Sequence, residues 1–185
     1  MKRRILAMVL ALVMAFALLT VASAADVKTA GTAGELSSAV AADGEVKLTD
    51  NITASITIPA GKTVTLDLNG YTLTNVAGQD TITVANGATL VVTGNGTVDN
   101  VSHGMAAVFN NGTTTLNGGT YTRSKETGKV STGMNSYYNI VNHGDMTINA
   151  GVTVEQAGNF SSMIENGYYG FTSGNRSKSV GRERV

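Results

Sequence analysis

The chain has no cysteine. No disulfide can staple it, so packing and backbone hydrogen bonds must hold whatever it folds into. It also lacks a concentrated cationic stretch: 13 Lys and Arg are balanced by 13 Asp and Glu, and three of the cations, Lys2, Arg3 and Arg4, sit at the extreme N-terminus. A nucleic-acid partner, which needs a basic face, is not expected. Site spacings are missing too. His103 and His143 have no carboxylate or second histidine at metal-ligand spacing, and His143 reads better as a turn residue. Ser131, Ser161 and Ser162 have no partner pattern for nucleophilic catalysis. Neither a metal nor a cofactor is expected.

What the chain does have is glycine, with abundant threonine, valine and asparagine, a composition that suits strands and turns and is poor for helices. Its first 24 residues stand apart. The basic start is followed by an apolar run from Ile5 to Val21, and Ala22-Ser23-Ala24 offers small residues before a cut at Ala25. That pattern predicts a secretory signal peptide over 1–24, hence a secreted or cell-surface protein with no membrane segment after cleavage. The plainer alternative is a retained anchor, for which the run is near the lower length limit. Residues 25–31 read as a linker. Thr32-Ala33-Gly34-Glu35 has capping-box spacing, and Leu36, Ala39 and Val40 recur at helical period, so a short helix is expected over 32–44, stopped by Asp43-Gly44. Its role would be to cover the open edge of the strands after it.

From Glu45 the period changes to two. The stretch from Ile56 to Thr74 alternates, bends at Gly61, alternates, bends at Asn69-Gly70, and alternates again. The pattern recurs. Gly61, Gly87, Gly112, Gly144 and Gly167 lie roughly 25 residues apart, with one longer interval before Gly144. Three positions before them stand Ile58, Val84, Phe109, Val141 and Ile164, read as one stacked apolar column, and a mostly Asn-Gly corner precedes each turn, where left-handed backbone is expected. A second glycine recurs at Gly70, Gly96, Gly119 and Gly151. One supersecondary unit per repeat predicts an all-β solenoid of about five coils over 45–171, stacked ~4.8 Å apart as parallel strands. A β-sandwich has regular strands too, but its turns need not keep a fixed register. Residues 172–185 form a polar, basic, aperiodic tail, expected to be disordered.

The wording I-x-I-P-x-G-K-T-V-T-L-D-L-N-G-x-T-L-T up to Thr74, with the helix before it and N-G-x-x-x-L-x-G-G-T-Y after it, resembles bacterial secreted or surface proteins with a right-handed parallel β-helix, the pectin-lyase-like group. The resemblance covers nearly all of the mature chain. It implies the fold firmly and the function poorly, since that group includes polysaccharide lyases, glycoside hydrolases, adhesins and repeat stalks. Its members usually continue for further coils, so this chain looks truncated or altered at its C-terminus.

Lyases of the resembled fold hold calcium on clustered carboxylates with a Lys or Arg as base. The nearest approach to that here is Asp99 and Glu155, in equivalent places two coils apart with Thr122 between them and Arg123 close by. Two rises put their backbones about 10 Å apart, and the plainer reading is three solvated residues on an outer strand. An insertion from Arg123 to Ser136 carries Lys125 and Lys129. Tyr137, Tyr138, Tyr168, Tyr169 and Phe171 form the aromatic concentration of the mature chain. Aromatic faces stack on sugar rings, and the cations would favour acidic glycans. The plainer reading is packing around the insertion and the last coil. Thr63/Thr65, Thr81/Thr83 and Thr113/Thr115 are similar to the T-x-T ladders of ice-binding solenoids, but their differing offsets from the glycines predict that they do not share one face. The sequence thus points to a non-enzymatic stalk or adhesin-like module meeting an extracellular glycan or a host or cell-surface protein. The alternative is a polysaccharide lyase or glycoside hydrolase, or a fragment of one.

Overall fold

The structure, a computed structural model, describes residues 26–125, 138–155, 163–167 and 178–181. The signal-peptide reading of 1–24 lies outside the described residues. After β1 (Lys28–Ala30) and helix α1 (Ala33–Val40) the chain winds through five coils of three strands. The first coil is β2 (Gly44–Leu48), β3 (Ile52–Thr53) and β4 (Ile56–Ile58). The second is β5 (Thr63–Asp67), β6 (Thr72–Thr74) and β7 (Ile82–Val84). Then come β8 (Thr89–Thr93), β9 (Thr97–Asp99) and β10 (Val108–Asn110), followed by β11 (Thr113–Leu116), β12 (Thr120–Thr122) and β13 (Ile140–Asn142). The fifth coil is β14 (Asp145–Ile148), β15 (Thr153–Val154) and β16 (Ile164–Asn166), and β17 (Lys178–Gly181) lies beyond it.

Corresponding strands stack into three all-parallel sheets: β1-β2-β5-β8-β11-β14-β17, β3-β6-β9-β12-β15 and β4-β7-β10-β13-β16. The protein is a right-handed parallel β-helix. Alternation turns every second side chain inward, and the parallel register piles like on like. Val46, Leu66, Val92, Leu116 and Ile148 make one such column. Ile56, Ile82, Val108, Ile140 and Ile164 make another. Fully burying a Leu or Ile contributes about 1.5–3 kcal/mol, so these columns are the main source of stability in a chain without disulfides.

The expected column does not hold together. Ile58 and Val84 do stack, but the next members of that column are Asn110, Asn142 and Asn166. Phe109 and Val141 pair with each other on the outward register, and Ile164 belongs to the Ile56 column. The corner length explains the slip. The connection from the third sheet back to the first runs over 59–62 and 85–88 in early coils, but only over 111–112 and 143–144 later. In the short corner an asparagine ends the strand, and its side chain takes the amide two residues on: Asn110 Oδ1 accepts from Gly112 N at 3.1 Å, and Asn142 Oδ1 from Gly144 N at 3.2 Å. The glycines differ accordingly. Gly61 and Gly87 have φ of +75° and +78°, whereas Gly112 and Gly144 are not left-handed. They are needed because a Cβ at either would run into carbonyl oxygens of the preceding coil.

The same slip separates glycine offsets from true register elsewhere. Thr63, Thr89 and Thr113 form one outward column, continued by Asp145, and Thr65, Val91, Thr115 and Thr147 form the next. Thr63/Thr65 and Thr113/Thr115 therefore do share a face, contrary to the offsets, while Thr81 is buried away from it. The termini also differ from expectation. Lys28–Ala30, in the expected linker, is a strand on the free edge of β2, and Lys178–Gly181, in the tail expected to be disordered, pairs with β14. Unpaired strand edges recruit further backbone by hydrogen bonding, and in β1 the single inward residue Ala30 is enough to join the core, so neither segment needed an apolar period. Helix α1 is shorter than expected but capped as expected: Glu35 N donates to Thr32 Oγ1 at 3.3 Å, and Thr32 N to Glu35 Oε2 at 3.1 Å. Its face of Leu36, Ala39 and Val40 is buried.

Candidate functional site

Variation along the solenoid concentrates at one corner. The connection from the second sheet to the third is 54–55 in the first coil, then 75–81, 100–107, 123–139 and 155–163. Loops leaving a rigid scaffold are where binding usually sits. Here the loops are tied to each other by side chains. Buried Asn75 donates through Nδ2 to Gln79 O at 3.0 Å and to Ser102 Oγ at 2.8 Å, and its Oδ1 accepts from Val101 N at 2.8 Å. Asn100, fully buried, donates to Ala106 O at 2.8 Å and accepts from Ser102 N at 2.9 Å. Buried amides are tolerable only when satisfied in this way, and once satisfied they fix loop shape.

Asp99 and Arg123 lie within this network. Asp99 is 8% exposed, and its two carboxylate oxygens accept from Ser124 N at 2.8 Å and from Ser124 Oγ. It clamps the first turn of the long loop. The sequence offers Arg123 as a loop cation available to a ligand, but it is 1% exposed, with Nη2 donating to Ser102 O at 3.1 Å. Burying a guanidinium requires compensation, to which the Ser102 carbonyl contributes. Glu155 is exposed. The register of β9, β12 and β15 does set Asp99 beside Thr122, and continues toward Glu155. The expected alignment is therefore present, but Asp99 sits inside it rather than on the solvated face. Lys125 is exposed and Tyr138 half-buried. Lys129, Tyr137, Tyr168, Tyr169 and Phe171 lie outside the described residues.

His143 does sit in a corner, edge-on to Phe109 with ring centroids 5.2 Å apart, and its Nε2 is 3.6 Å from Glu165 Oε1. Among the described residues no three His, Asp or Glu side chains come together as a metal site.

Where the corner loops meet the outer face of the third sheet there is a cavity of about 290 Å³. Thr57 and Thr83, neighbours in register on β4 and β7, supply its floor. Ser55, Gln79 and Asp80 border it with polar groups, and Met105 adds an apolar side. Asp80 Oδ1 accepts from Ala106 N at 2.6 Å. Burial pushes its carboxyl above the usual aspartate range, against the opposing pull of the Ala106 amide and Arg123. No known protein family, curated protein or solved structure matches this chain. Asp80 is not legible in the sequence because Gly78-Gln79-Asp80 reads as an ordinary turn, and only the coil register places it over Thr57 and Thr83.

Proposed function

We propose that this protein is an exported, non-enzymatic β-helix module, a stalk or adhesin-like scaffold of the bacterial pectin-lyase-like kind, that meets an extracellular glycan or a cell-surface protein. The observation that supports this most is how the charged groups of the variable corner are used. Asp99 and Arg123, the best sequence candidates for acid–base work, are buried and engaged in holding loops. A catalytic carboxylate must reach the substrate, and a clamp cannot be spared for it. The outward columns of threonine add a neutral, hydroxyl-rich surface suited to a solvated stalk.

The rival reading, a polysaccharide lyase or glycoside hydrolase, draws on the alignment of Asp99 with Glu155. Incubation of the purified protein with polygalacturonate and related uronic polymers, with and without calcium, separates the two. The scaffold reading expects no growth of unsaturated-product absorbance or of reducing ends above a buffer blank. Turnover that Glu155→Gln abolishes would establish the enzyme instead.

A further inference from the structure

We propose that the cavity lined by Thr57, Thr83, Gln79, Asp80 and Met105 is a seat for one neutral sugar residue of a glycan chain. This rests on the glycan-binding reading above and gives it a place and a selectivity. The size comes first: about 290 Å³ is at the lower end of small-molecule sites and suits a single pyranose ring. The chemistry comes from the lining. A carboxylate accepts hydrogen bonds from a pair of neighbouring hydroxyls, the Gln79 amide and the Thr57 and Thr83 hydroxyls both donate and accept, and Met105 offers an apolar surface to ring C–H groups. Among the described residues no lysine or arginine lines the cavity. A uronic acid would place its carboxylate near Asp80 without a cation between them, so acidic sugars are disfavoured. This is the reverse of the preference that Arg123, Lys125 and Lys129 suggest in the sequence.

The floor is preformed. Thr57 and Thr83 are fixed by strand pairing, and Asp80 is held by the Ala106 amide, so little ordering is required on binding. The loop that carries Asp80 is tied to the next by Asn75, which donates to Ser102 Oγ, and by Asn100, which donates to Gln79 O, so the side chain keeps its position without ligand.

The test uses the mature chain, isotopically labelled, titrated with cello-, manno- and galacto-oligosaccharides and, in parallel, with oligogalacturonate, while backbone amide resonances are followed. At least one neutral series should shift the amides of Gly78, Gln79, Asp80 and Thr83, and oligogalacturonate should not. Asp80→Asn retains an acceptor for the Ala106 amide, so the fold should be kept. It should weaken neutral-sugar binding about tenfold, the cost of one charge-assisted hydrogen bond. Binding that shifts other amides and ignores Asp80→Asn and Thr83→Ala overturns the cavity while leaving the scaffold reading intact. Equal response to oligogalacturonate overturns the selectivity. No binding of any oligosaccharide overturns the cavity and the glycan arm of the scaffold reading together, leaving a protein partner.

Discussion

Asn142 accepts from Asn110 at 2.7 Å and donates to Asn166 at 2.8 Å, while also holding the amide of Gly144. It is the middle of a three-coil amide ladder and is fully buried. Truncating it leaves Asn110 Nδ2 and the Gly144 amide short of a partner, each costing about 1–3 kcal/mol when buried. Asn142→Ala should therefore lower the urea midpoint by far more than Asn149→Ala, whose bond to Asn117 is exposed. Glycines give a second contrast at this scale. Gly61→Ala meets open space and suffers only from its left-handed backbone, about 1–2 kcal/mol. Gly144→Ala drives a Cβ into the Gly112 carbonyl, which must shift the coil, and should cost more, of the order of 3 kcal/mol or above. Denaturant unfolding of the two variants side by side decides it.

Asp80 carries a pH signature of its own. Its carboxyl is raised by burial, so the folded state holds a proton that the unfolded chain has already released. Stability from this group is present below the ordinary aspartate range and declines as pH rises toward the raised value. Unfolding midpoints of wild type and Asp80→Asn, compared across the carboxylate range, should converge at its acid end and separate in favour of the variant above it. A constant offset would show that Asp80 is not desolvated.

At the scale of the element, α1 is the one helix among the described residues, and its position depends on its cap. Thr32→Ala removes the acceptor for Glu35 N and should cost ~1 kcal/mol, read from the unfolding midpoint. Glu35 accepts from the amides of Gly31 at 2.9 Å and Thr32, and these bonds hold its carboxyl below the usual glutamate range, with the Gly31 amide the larger cause. The sign is opposite to that of Asp80. Cap stability is fully present above the ordinary glutamate value and is lost as pH falls through the lowered one. Protection factors of the α1 amides, taken relative to intrinsic exchange at each pH, should fall on acidification in the wild type and change little in Glu35→Gln. The cap is legible in the sequence because its chemistry is local, four residues long. Strands β1 and β17 are not, because what makes them strands is an edge supplied by β2 and β14.

For the whole molecule, each coil touches only its neighbours, so stability is close to a sum of coil and interface contributions. Leu90 is fully buried in the middle of its column between Val64 and Thr114. Leu90→Ala should cost about 2–5 kcal/mol, the usual range for buried leucine. The loss should spread outward, with exchange protection falling most in the second, third and fourth coils. A uniform loss from α1 to the fifth coil would mean that the solenoid unfolds as a single unit.

The winding is written locally: alternation of period two, recurring glycine corners and a helical start are short-range instructions, each contained within a few residues. So is the inside of the first two coils, where Ile58 and Val84 stack as the spacing implies. Registry beyond them belongs to the folded solenoid, because two residues fewer in a corner move every later column while the glycines keep their apparent rhythm. The same holds for the candidate site. Asp80, Thr57, Thr83 and Met105 meet because separate coils lie one strand spacing apart, and no stretch of chain contains that distance. Burial settles the remainder, turning Arg123 and Asp99 from surface charges into internal struts where loops from neighbouring coils close over them.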